Sequence, residues 1–101
     1  MVKKISHSRE KSSTVAKTFL IKNELGLHAR AAAQFVKIAG HFASEILVAK
    51  DSREINGKSI MGLLMLAAAR GSKISVKASG PDAEEALNAL GKLIENKFGE
   101  N

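Results

Sequence analysis

Cysteine, tryptophan and tyrosine are absent from this 101-residue chain, and proline occurs once. Without cysteine there is no disulfide framework, no thiol nucleophile and no thiolate metal ligand. The three histidines, His7, His28 and His41, show neither helical i, i+4 spacing nor clustered carboxylates, so no metal site is expected. No apolar run reaches the ~20 residues that cross a bilayer. The N-terminus also lacks the apolar stretch of a signal peptide. The expectation is a cytoplasmic protein with no membrane insertion.

A net charge of +6 and a pI near 9.8 raise the question of nucleic acid, which the distribution of charge answers. Residues 1–13 hold Lys3, Lys4, Arg9 and Lys11 against Glu10, a local excess of +3. The other 12 basic and 9 acidic side chains are interleaved over the remaining 88 residues. The four phenylalanines mostly fall in apolar patterns, which leaves little for stacking on bases. No nucleic-acid partner is expected. Residues 1–13, rich in Lys and Ser with little to bury, read as a flexible basic tail ahead of one domain, 14–101.

What is present is a regular alternation of two kinds of segment. Val15 to Ile21 predicts a strand with Phe19 and Ile21 on its buried face. Ala29 to about Ala39 predicts helix A, with Ala32, Phe35, Val36 and Ala39 in a 3.6-residue stripe and Gly40 as its stop. Glu45–Lys50 and Arg53–Asn56 flank an Asp51-Ser52 turn as a hairpin, closed by Gly57. Ser59 reads as the N-cap of helix B, which runs to about Ala69 before Gly71. Lys73 to Ser79 alternates strictly, with Ile74, Val76 and Ala78 inward. Asp82 and Glu85 have capping-box spacing at the start of helix C, whose stripe is Ala83, Ala86, Leu87, Leu90, Leu93, Ile94 and Phe98. The order βαββαβα predicts an α+β open-faced β-sandwich, a four-stranded antiparallel sheet covered on one face by three helices.

One stretch carries chemistry. In Asn23-Glu24-Leu25-Gly26-Leu27-His28-Ala29-Arg30, a turn at Gly26 places His28 at the N-terminus of helix A. The first N–H groups of a helix lack internal partners and its dipole is positive there. An imidazole at that end, with Arg30 two residues on, suits a phosphoryl group: the ring takes it covalently while amides and guanidinium neutralise its oxygens. On spacing alone, though, a histidine near a helix start is most often a cap or a surface residue.

Gly26-Leu27-His28-Ala29-Arg30, followed by Lys58-Ser59-Ile60-Met61-Gly62, resembles the HPr family, the histidine phosphocarriers of the phosphoenolpyruvate-dependent sugar phosphotransferase system. The resemblance runs from about Thr14 to Phe98. It departs at Ala31, where the family usually has proline; proline suits a first helical turn, and alanine is the better helix former. The resemblance implies the open-sandwich fold and a carrier rather than an enzyme. It further implies phosphate accepted on Nδ1 of His28 from enzyme I, stabilised by Arg30, and passed to EIIA domains for sugar uptake. It makes Ser59 the target of HPr kinase/phosphorylase. No cofactor is implied, and a monomer is expected. A nitrogen-branch or mainly regulatory HPr-like phosphocarrier is the alternative.

Helix B is apolar nearly all round. Leu63, Leu66 and Ala67 share one side, while Ile60, Met61, Leu64 and Met65 lie on the other. Either both sides are buried or the second is a docking patch, for which flexible Met side chains are suited. By resemblance the docking residues are Ile60, Met61 and Leu64. Lys37 and Lys58, with Arg30, match basic family positions that meet acidic partners.

Overall fold

Alternating polarity produces a sheet with one dry face, and the helical stripes cover that face. The computed structural model describes residues 13–101, as β1 (Ser13–Leu20), α1 (Ala29–Ala39), β2 (Glu45–Lys50), β3 (Arg53–Asn56), α2 (Ile60–Leu66), β4 (Lys73–Gly80) and α3 (Ala83–Glu95). A short 3₁₀ turn, Lys97–Gly99, follows α3. The sheet is antiparallel with strand order β1-β4-β2-β3, so the most strictly alternating segment, β4, lies inside it. Register places Phe19 opposite Ile74 and Val48 opposite both Val76 and Ile55. Phe19, Ile46, Val48, Ile74, Val76 and Ala78 are all buried, which is the inward set expected from the pattern. Ile55, on the outermost strand, is only partly covered.

The tail assigned to residues 1–13 lies outside the described residues except for Ser13, which already pairs with Gly80 in β1. β1 therefore starts two residues before Val15, and it ends at Leu20. Ile21 continues the pairing through backbone bonds, donating to the Ser72 carbonyl and accepting from Gly71 N–H, both at 2.8 Å.

The three helices lie on the dry face. Ala31, Ala32, Phe35 and Ala39 of α1, Leu63 and Leu66 of α2, and Ala83, Ala86, Leu90 and Ile94 of α3 fill the core. Gly91 allows α3 to lie close to β1: a Cβ there would come within 3.0 Å of the Phe19 ring.

Three local expectations are corrected, each because a tertiary contact outweighs a local pattern. Helix B ends at Leu66, not Ala69. Ala67 is left-handed (φ 51°, ψ 42°), Arg53 Nη1 donates to the Met65 carbonyl at 2.6 Å, and the Ala68 carbonyl accepts Leu27 N–H at 2.9 Å. The terminal backbone groups are thus used by other segments. Asp82 forms no capping box with Glu85. Its carboxylate instead accepts Ala43 N–H (2.9 Å), Ser44 N–H (2.9 Å) and Ser44 Oγ–H (2.6 Å), satisfying donors of the loop after α1, where Ser44 is fully buried. Those bonds, the Ser44 hydroxyl first and Ala43 N–H next, hold the Asp82 carboxyl below the ordinary carboxylate range, with desolvation opposing. Phe98 is buried but is not on the helix. Lys97, Phe98 and Gly99 all have positive φ, and this turn sends the chain back under α1, where Gln34 Nε2 donates to the Phe98 carbonyl at 3.1 Å.

Candidate functional site

The returning C-terminal residues and the loop after β1 meet at His28. Gly26 sets the loop's path. Its φ of +68° is a left-handed value, and a Cβ there would lie 2.6 Å from the Ala68 carbonyl oxygen. Glycine alone lets the loop approach closely enough for Leu27 N–H to reach that same carbonyl. Leu27 is buried, and His28 follows with extended backbone (φ −80°, ψ −176°) as the N-cap of α1.

The His28 carbonyl accepts Ala32 N–H at 2.8 Å, the first turn of the helix. Its side chain does not cap the helix, so Ala29, Arg30 and Ala31 keep N–H groups with no partner inside it. Ala31 retains one such N–H where a proline would have none. The ring is partly exposed, at 27 %. Nε2 lies 2.7 Å from Glu100 Oε2, and among the described residues no group bonds Nδ1. Asn23, fully buried, donates through Nδ2 to the Gly26 carbonyl (2.8 Å) and to Glu100 Oε1 (3.0 Å). Glu24 N–H donates to the Asn101 carbonyl at 2.6 Å. The Asn23 amide, and after it the His28 ring and the Arg30 charge, hold the Glu100 carboxyl below the ordinary carboxylate range, opposed by desolvation. Glu24, Leu25, His28, Ala29, Arg30, Glu100 and Asn101 line a surface depression of about 520 Å³. It brings the His28 ring, the Arg30 guanidinium and the free N–H groups at the start of α1 to one open surface.

Similarity to known proteins decides what the site belongs to. The family profile described as "PTS HPr component phosphorylation site" matches residues 15–96. The chain belongs to the HPr family. Phosphocarrier protein HPr of Cupriavidus necator is 49% identical over 80 residues, covering 79% of this chain and 90% of that one. A crystal structure of HPr from Thermoanaerobacter tengcongensis superposes with a TM-score of 0.83 at 49% identity, covering 86% of this chain and 98% of its own. Another structure from that organism, an HPr dimer, gives 0.70 at 51% identity, covering 81% and 94%. HPr proteins are phosphocarriers of the phosphotransferase system and not enzymes, and the open-faced sandwich is theirs.

The remaining residues named from the HPr pattern are placed as follows. Arg30 is exposed beside His28 in the depression. Ser59 is the N-cap of α2, its Oγ accepting Gly62 N–H at 3.0 Å. Ile60 and Met61 are exposed at 41% and 67%, but Leu64 packs partly against the core. Lys37 is exposed in the last turn of α1, roughly 14 Å along the helix from His28. Lys58 is not a free charge: its Nζ donates to the Phe42 carbonyl at 2.7 Å. Sequence reasoning missed Glu100, Asn23 as its holder, and Leu25, which is 71% exposed at the rim of the depression. Glu100 has no local signal, since it is a lone acid beyond the last helix.

Proposed function

We propose that this chain carries a phosphoryl group on Nδ1 of His28, receiving it from enzyme I and delivering it to EIIA domains. The observation that carries the reading is a ring engaged at Nε2, with no partner at Nδ1 among the described residues, at a helix start that offers three N–H groups and Arg30 to an anion. The N–P bond forms with the Nδ1 lone pair, and the amides and guanidinium offset charge on the phosphoryl oxygens. A shallow site suits a carrier, because both donor and acceptor must reach the same atom. Leu25, Ile60 and Met61, with Met65 at 59% exposure, offer the apolar docking face, and Leu64 supports it from below. Arg30 and Lys37 are the basic groups placed for an acidic partner, with Lys58 contributing less because it is tied to Phe42. We place the protein in the cytoplasm, as a monomer during transfer.

Phosphorylated protein, separated from enzyme I and mixed with an EIIA domain, is expected to lose its phosphate to that domain. Retention of the phosphate, with transfer only to nitrogen-branch acceptors, favours the alternative branch. Ser59 is the proposed regulatory site for an HPr kinase/phosphorylase. Its hydroxyl already sits against the first N–H groups of α2, where a phosphate adds charge next to Ile60 and Met61 without opposing the helix.

A further inference from the structure

The bond between Glu100 and His28 does more than fill space, if its protons are followed. Glu100 is ionised, and a carboxylate only accepts hydrogen bonds. A neutral imidazole carries one ring proton, so a 2.7 Å contact from Nε2 to Oε2 requires that proton on Nε2. The lone pair is then left on Nδ1. The carboxylate is itself fixed. Its other oxygen accepts from Asn23 Nδ2, whose second proton goes to the Gly26 carbonyl, so the amide's orientation is set by two acceptors. Asn23 Oδ1 is buried with no partner among the described residues, a cost borne at a residue whose donor edge is fully used.

We propose that Glu100, held by Asn23, is a positioning residue for phosphoryl transfer: it keeps the ring proton of His28 on Nε2 and presents Nδ1 as the nucleophile. This rests on the reading of His28 as the carrier. In the transfer step the Nδ1 lone pair forms the bond to phosphorus. The bond from phosphorus to the donor's leaving atom breaks, and its electron pair stays with that atom. Nε2 keeps its proton, so the ring becomes cationic with the Glu100 carboxylate against it. That carboxylate sits against Nε2, the ring nitrogen that does not carry the new bond. A cationic ring is also the better leaving group for onward transfer, so the same contact serves both directions.

The test uses the full chain with labelled histidine. Imidazole ¹⁵N shifts at a pH where the ring is neutral report the tautomer without any transfer reaction. Wild type is expected to be almost entirely the Nε2–H form. Glu100→Ala and Glu100→Gln, the latter removing charge but keeping shape, are expected to show a several-fold larger Nδ1–H fraction. Their phosphorylation kcat is expected to fall roughly tenfold to a hundredfold with KM for the donor little changed. Glu100→Asp is expected to restore part of the kcat. Equal tautomer ratios in wild type and both variants, or transfer by folded variants at the wild-type rate, overturn the role of Glu100. A wild type that accepts no phosphoryl group at all overturns the carrier reading instead.

Discussion

Gly26→Ala is the smallest change that moves His28 without touching it. The added methyl meets two obstacles. The φ of +68° costs an alanine ~1–2 kcal/mol. Its Cβ would also sit 2.6 Å from the Ala68 carbonyl oxygen and 2.9 Å from Ala69 Cα, both backbone atoms that cannot swing aside. Relief of that overlap costs ~1–3 kcal/mol, and the Leu27–Ala68 bond that must lengthen is worth ~1 kcal/mol. Loss of glycine's freedom in the unfolded chain returns ~0.4–1 kcal/mol. The net is about 2–5 kcal/mol, a large share of the 5–15 kcal/mol typical of a domain. At ~4–8 °C per kcal/mol, the melting temperature is expected to fall by roughly 10 °C or more. Calorimetry or thermal circular dichroism measures it, with the rate of phosphoryl acceptance at a temperature where the variant is folded. A variant melting within about 3 °C of wild type would refute the argument that only glycine permits this approach.

Phe98→Ala removes the buried ring that turns the chain back towards His28, and is expected to cost ~3–5 kcal/mol by urea denaturation while slowing phosphorylation. A cost below ~1 kcal/mol would show that the turn is not anchored there. The depressed Asp82 carboxyl means that the unfolded chain binds the proton more readily, so its stability contribution is present above the ordinary carboxylate range and lost as pH falls through the folded value. Asp82→Asn is expected to lower the melting temperature at neutral pH and to flatten the decline below about pH 4; an unchanged acid limb would contradict this. Ser59→Asp keeps an N-cap and adds charge beside Ile60 and Met61, so acceptance from enzyme I is expected to slow by roughly tenfold, ~1.4 kcal/mol, with helix content intact. Wild-type rates in the folded variant would remove the proposed switch.

The parts of this chain that were legible are those in which one period dominates. Lys73–Gly80 alternates and is a central strand; Ala29–Ala39 repeats at helical spacing and is a helix with Ala32, Phe35 and Ala39 inside as expected, though Val36 is only partly covered and Ala31 is buried in addition. His28 and Arg30 were singled out by the resemblance of Gly26-Leu27-His28-Ala29-Arg30 to the HPr motif, since a turn, a ring and a cation within five residues are a weak signal alone. What stayed hidden depends on contacts distant in sequence. Nothing local stops α2 at Leu66, since Ala67, Ala68 and Ala69 are good helix formers, and only Leu27 N–H on the Ala68 carbonyl and Arg53 on Met65 account for it. Asp82 looked like a cap until a buried serine 38 residues earlier claimed its carboxylate. Glu100 lies 72 residues from His28 and reaches it through three successive positive φ angles.

The central claim is that a phosphoryl group resides on Nδ1 of His28. The most direct measurement is incubation with phosphoenolpyruvate and enzyme I, followed by intact mass and ¹⁵N-resolved phosphohistidine NMR on wild type and His28→Ala. One phosphate on the wild type, at Nδ1, lost in acid and stable in base, with none on His28→Ala, is the expected result. An acid-stable adduct, attachment at Nε2, or full labelling of His28→Ala would contradict the account.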